Sequence, residues 1–173
     1  MKRGQLEHVI RAAAAITNHT DIVVVGSQAV LGQFPDAPPE LLVSIEADVF
    51  PKDHPELSIQ IDGAIGELSP FHQTFGYYAH GVDETTATLP SGWQQRLIAV
   101  RNANTGGATG WCLEVHDLAA SKLVAGREKD LEFVRQLLKH RMVETVRFTA
   151  LIKKLPVSPE VQQTVAARLK AVT

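Results

Sequence analysis

The chain has a single cysteine, Cys112, among its 173 residues. This excludes an intramolecular disulfide and any cysteine-based zinc cluster, and it fits a reducing compartment. Cys112 itself reads as a small apolar residue on a strand. No apolar run reaches the roughly 18 residues that a membrane span requires. The opening MKRGQLEHVIRAAAAITNHT sets basic residues before an apolar stretch, but Glu7, His8 and Arg11 interrupt it before a signal-peptide core forms. A charge excess is also missing. With 17 basic against 19 acidic residues and a net charge of -2, the chain has no footprint of a protein that coats nucleic acid non-specifically. There is no internal repeat and no low-complexity tract. The expectation is a soluble cytoplasmic protein that does not engage a membrane.

What is present is 45% hydrophobic residues, enough for one substantial core. Leu6, Val9, Ile10, Ala13, Ala14 and Ile16 recur at helical spacing and predict an amphipathic helix over 4–17. The β-branched run DIVVV, 21–25, predicts a central strand covered on both faces. Gly26-Ser27 breaks it, and 28–33 reads as a short helix that the proline-rich FPDAPPE, 34–40, cannot continue. A second strand is expected over 41–50 and a helix over 55–68. From Phe71 to Asn102 the pattern is β-like, in TFGYYAHGV, TATLP and RLIAVRN. NANTGGATG should join the last of these to WCLEV as a hairpin. Helices are expected at about 116–126, 128–140, 143–154 and 159–171, the last opened by Ser158 as N-cap with Pro159 in the first turn. This predicts an α+β fold: a mixed sheet of about five strands with flanking helices and a helical C-terminal third. The expected organisation is an α/β core over 1–115 and a helical region over 116–173 packed on it.

The segment SIEADVFP, 44–51, places two carboxylates on one side of a strand. Side chains alternate along a strand, so Ser44, Glu46 and Asp48 should share one face and Val43, Ile45, Ala47 and Val49 the other. Carboxylates that close repel unless water, a cation or a basic group lies between them. Two oxygen donors on a rigid strand suit a hard cation such as Mg2+, which prefers a few carboxylates plus substrate phosphates. A solvated edge-strand face is the plainer alternative. Upstream, Gly26-Ser27 follows a buried strand and opens a short helix, where free N–H groups favour an anion such as a phosphate; an ordinary serine-capped turn is the alternative there.

In this order, VVVGSQAVLG followed by SIEADVF resembles the minimal signature of the nucleotidyltransferase superfamily with the polymerase β-like fold. A second segment, HDLAASKLVAGREKDLEFVRQLL, 116–138, is similar to the helical region of AbiEii-like and other toxin-type nucleotidyltransferases, on Lys122, Arg127 and Asp130. The resemblance implies that Gly26 and Ser27 bind nucleotide phosphates and that Glu46 and Asp48 bind Mg2+ or Mn2+ and act in catalysis. It implies that Lys122 neutralises developing charge and that Lys122 and Asp130 belong to the nucleotide site. A nucleoside triphosphate is the implied donor. The acceptor is left open between RNA, protein and a small molecule, and an antitoxin or a second copy of the chain is an expected partner. A local basic patch of Lys52, Arg96, Arg101 and Lys122 would suit RNA.

Physically, Lys122 interrupts the apolar stripe Val115, Leu118, Ala119, Ala125, so its ammonium needs phosphates or a partner such as Asp130, or it snorkels at the core's edge. Arg127 and Asp130 have the i,i+3 spacing of a helical ion pair. Two departures from the family pattern stand out. The linker between Ser27 and Glu46 is longer than the family's usual spacing, which the FPDAPPE loop can absorb; and the first acid is Glu46 rather than aspartate while no third carboxylate is evident, with Asp62, Asp83 and Glu114 as the candidates. The histidines His54, His72, His80 and His116 lack metal-ligand spacing and read as surface or satisfied residues. Trp93 and Trp111 read as packing residues. Two functions follow: a metal-dependent nucleotidyltransferase, or a nucleotidyltransferase-like binding or regulatory module that has lost catalysis. A third acid converging on Glu46 and Asp48 would favour the enzyme, and an apolar or basic residue there would favour the module.

Overall fold

The computed structural model describes residues 1–173. Five strands form one mixed sheet: β1 (Asp21–Val24), β2 (Glu46–Pro51), β3 (Tyr78–Gly81), β4 (Ile98–Val100) and β5 (Thr109–Cys112). Their order is β3-β2-β1-β5-β4, so the most apolar run lies at the centre. β1 pairs antiparallel with β2 and parallel with β5; β2 pairs parallel with β3, and β4 closes on β5 as the expected antiparallel hairpin. Eight helices surround the sheet: α1 (Arg3–Thr17), α2 (Val30–Gln33), α3 (Ser58–Ile65), α4 (Pro70–Phe75), α5 (Val115–Ala125), α6 (Glu128–Lys139), α7 (Thr145–Ile152) and α8 (Pro159–Val172). The architecture is α+β with a helical C-terminal third.

The pairing register sorts side chains onto two faces. Ile22, Val24, Ala47, Val49, Ala79, Gly110 and Cys112 share one face, which α1 and α3 cover. A β-carbon on Gly110 would meet Ile10 of α1 at 2.3 Å, and one on Gly81 would meet the Ser58 carbonyl of α3 at 2.0 Å, so both contacts exist because these residues have no side chain. Tyr78, His80, Glu46, Asp48, Phe50, Val23 and Trp111 share the other face. A single apolar cluster runs from α1 through the sheet into α5, α6, α7 and α8.

Several expectations are corrected. The second strand begins at Glu46 rather than 41, because 39–41 form a 3-10 turn and Val43 and Ile45 are solvent-exposed. The Met1 ammonium donates to the carbonyls of Leu42 and Ser44 at 2.6 and 2.7 Å, which occupies backbone acceptors that a strand would need. Ser44 therefore lies before the strand, with its hydroxyl on the Glu46 backbone. Residues 70–75 are helical rather than β-like: the Ser69 hydroxyl accepts from the His72 N–H and Pro70 fills the first turn. TATLP forms no strand; Glu84–Thr86 is a 3-10 turn begun by the Asp83 side chain. The helix expected over 55–68 is a 3-10 turn followed by α3, ending at Ile65.

Candidate functional site

Strand direction gathers the site at one end of the sheet. β1 and β5 end there, while β2 and β3 begin there. As β1 leaves the sheet, the Val25 N–H donates to the Asp48 carbonyl at 3.0 Å, which fixes the Gly26-Ser27 turn against the acid strand. Gly26 has an ordinary extended backbone, yet a β-carbon there would lie 1.7 Å from Asp48 Oδ2. Glycine is therefore required by the close approach of the carboxylate and not by backbone conformation.

Glu46 and Asp48 share the face predicted for them, and each is held by the residue directly opposite on β3. The Tyr78 hydroxyl donates to Glu46 Oε2 at 2.9 Å, and His80 Nδ1 lies 3.0 Å from Asp48 Oδ1. Burial and then the repulsion of Glu46 push the Asp48 carboxyl above its ordinary range, against the pull of His80 and Lys122. Burial, the hydrogen bond to Glu46 and its charge push the Tyr78 phenol up to about 12.

The facing wall comes from α5, α6 and the turn between them. Lys122 Nζ lies 3.1 Å from Asp130 Oδ1, and Arg127 Nε lies 2.6 Å from Asp130 Oδ2. Asp130 is 1% exposed while Arg127 is 61% exposed, so the pair is not the surface contact its spacing suggests. Burial opposes the Asp130 charge, but Arg127 and Lys122 overcome that and hold its carboxyl below the ordinary range. Asp130 thereby fixes two cations in the lining of a cleft of about 580 Å³ to which Ser27, Glu46, Asp48, His80, Lys129 and Phe133 also contribute. Gly26 lines a smaller hollow that shares Asp48 and Lys122 with this cleft, around which Ser27, Glu46, Asp48, Lys122 and Asp130 are brought together.

The third-acid candidates are not. Asp62 accepts the Gly81 N–H from the opposite face of the sheet, Asp83 starts a turn, and Glu114 is the N-cap of α5, bonded to His116 at 2.7 Å. No group of three or more His, Cys, Asp or Glu side chains has the arrangement of a metal cage. His80 and Tyr78 stand beside the acid pair instead. His80 and Tyr78 are the site residues that sequence reading missed; their alternation in YYAHG was visible, but the β2–β3 register that aims them at Glu46 and Asp48 was not. Of the basic residues considered for RNA, Arg96 is bonded through Nε and Nη2 to buried Asp117 at 2.7 Å and Lys52 lies over the Trp111 ring at 4.4 Å.

Residues 4–155, most of the chain, match the family described as nucleotidyltransferase of unknown function (DUF6036). The chain belongs to that family. No curated protein and no solved structure matches it. In this DUF6036 member the matched span includes the Gly-Ser turn, the acid pair and the Lys122–Arg127–Asp130 cluster, and it ends before α8.

A divalent ion suits this donor set as an open site. Asp48 is pushed toward protonation by burial and by Glu46, and a cation between the two carboxylates would relieve that repulsion. With two protein carboxylates, the remaining coordination positions of a Mg2+ would fall to phosphates and water, the usual pattern for substrate-bound magnesium.

Proposed function

We propose that this family member transfers a nucleotidyl group from a nucleoside triphosphate to an acceptor hydroxyl, with Mg2+ or Mn2+ bound by Glu46 and Asp48. The observation that carries this reading is the pairing, across one cleft, of two carboxylates with two cations fixed by a buried aspartate. A triphosphate carries charge of the sign that Lys122 and Arg127 attract, and the cleft volume falls in the range of small-molecule sites. The backbone N–H groups of Gly26 and Ser27, with the Ser27 hydroxyl, orient the phosphates. Lys122 and Arg127 hold negative charge where it grows as pyrophosphate departs. Tyr78 and His80 keep the two carboxylates in place. When bound, the ion supplies Lewis-acid activation of the hydroxyl and of the leaving group.

Asp48→Ala tests this reading: the variant should stay folded and lose Mg2+-dependent nucleotide binding and transfer. If the unaltered protein neither binds nor transfers any of several nucleotides with Mg2+ or Mn2+, the reading fails. A second reading, a binding or regulatory module without catalysis, is favoured by His80 standing beside Asp48 where a third carboxylate was sought. Nucleotide binding without transfer to any acceptor would select it.

A further inference from the structure

The nucleotide cleft is one of two adjoining chambers. A smaller one, of about 170 Å³, lies against it and shares Asp48, Thr86, Lys122 and Arg127 as a common wall. The Gly-Ser turn straddles the boundary, since Gly26 lines the small chamber and Ser27 the large one. Resting on the transfer reading above, we propose that the small chamber is the acceptor subsite and that the acceptor is a small hydroxyl-bearing molecule rather than a nucleic acid.

The chemistry requires two compartments meeting at one phosphorus. In phosphoryl and nucleotidyl transfer the attacking and leaving oxygens lie roughly in line, so the acceptor enters from the side opposite the pyrophosphate. The acceptor oxygen forms a bond to the α-phosphorus, and the bond from that phosphorus to its bridging oxygen breaks. Pyrophosphate leaves with the bonding electrons, and the hydroxyl proton passes to water. With the triphosphate in the large chamber, Asp48, Lys122 and Arg127 are the charged side chains that face both chambers, so the small chamber adjoins the charged groups of the reaction centre.

The lining of that chamber selects the acceptor. Thr88 and Ser121 offer hydroxyls, and Val25, Ala87, Val124 and Ala125 offer apolar surface. None of its residues is aromatic, so no base can stack there. A liquid-water share is roughly 30 Å³ per molecule, so the volume suits a molecule of only a handful of non-hydrogen atoms. Outside the cleft, Arg96 and Lys52 are engaged by Asp117 and Trp111.

The test uses the full chain with Mg2+ and α-labelled nucleoside triphosphates, offered separately a panel of small polyols with the small-molecule filtrate of a cell extract, total RNA, and protein. Label is expected on a small molecule, and Ala125→Trp, which fills the chamber from an exposed helix end, should raise the KM for that acceptor about tenfold or more while leaving nucleotide Kd within about twofold. Ala87→Phe on the opposite side should act in the same way, guarding against a folding defect in one variant. Label appearing only on RNA or protein, or on nothing in the filtrate while the chain binds nucleotide, overturns the acceptor assignment and leaves the nucleotide site standing. So does a loss of nucleotide affinity in both variants, which would give the small chamber to the nucleotide. Failure of the unaltered chain to bind any nucleotide removes the transfer reading and this inference together.

Discussion

Gly26→Ala replaces one hydrogen by a methyl and probes the join between the phosphate turn and the acid strand. The new β-carbon would lie 1.7 Å from Asp48 Oδ2, 2.7 Å from its Cγ and 3.0 Å from its Cβ, so the aspartate must move. The backbone cannot easily yield, because the Val25 N–H is bonded to the Asp48 carbonyl at 3.0 Å. Rotating the carboxylate away costs about 1 kcal/mol in rotamer strain and about 1 kcal/mol for the lost His80 hydrogen bond. Alanine returns roughly 0.4–1 kcal/mol by restricting the unfolded chain, since φ at this residue is ordinary. The net loss of about 1–2 kcal/mol should lower Tm by roughly 2–8 °C in a domain of this size. The functional effect should be larger, because the displaced carboxylate no longer pairs with Glu46: Mg2+-dependent nucleotide affinity should fall about tenfold or more. Thermal melts and calorimetric titration of the folded variant read both quantities. Unchanged Tm and unchanged nucleotide affinity would refute the claim that the turn and Asp48 form one site.

Other perturbations test the supporting structure. Asp130→Asn removes the anion that anchors Lys122 and Arg127; it should cost about 2–3 kcal/mol in denaturant melts and weaken nucleotide binding, and tighter binding would contradict the positioning role. Arg168→Ala deletes two hydrogen bonds of 2.8 Å from α8 to the carbonyls of Leu123 and Val124, so stability should fall by about 1–2 kcal/mol, with faster hydrogen exchange in the last turn of α5. Glu7 gives the pH test. Burial opposes its charge, but hydrogen bonds from Asn104, Asn102 and Arg3 overcome this and hold its carboxyl below the ordinary 4.5. Because the folded value is depressed, its stabilisation is fully present above 4.5 and is lost as pH falls through the folded value. Glu7→Gln should therefore be less stable than the unaltered protein by about 2–3 kcal/mol at neutral pH, the difference shrinking in acid; a difference independent of pH would contradict it.

The parts of the site that local sequence chemistry specifies were legible in advance. Gly26-Ser27 follows a continuously apolar run, Glu46 and Asp48 alternate with buried Ala47 and Val49, and Lys122 interrupts an apolar helix face. Helix ends marked by capping chemistry were legible too, as at Ser158-Pro159. The same chemistry at Ser69-Pro70 also opens a helix, α4, although the aromatic residues that follow it have a strand-like composition. Leu41 to Ile45 reads as strand from its branched residues, yet Val43 and Ile45 are solvent-exposed and the Met1 ammonium occupies the carbonyls of Leu42 and Ser44. Tyr78 and His80 needed the register of two strands separated by two helices. Asp130 looked like half of a surface pair because a helix diagram shows Arg127 three residues away and not the packing of α5 on α6 that buries it.

The central claim is that the acid pair and the cation wall form one metal-dependent nucleotide site. Calorimetric titration of the unaltered chain with a nonhydrolysable nucleoside triphosphate, in the presence of Mg2+ and again with the ion chelated, tests it most directly. The account predicts saturable binding that weakens strongly on chelation and is lost in Asp48→Ala. Binding of equal strength with and without the ion, or no binding of any nucleotide in either condition, would contradict it.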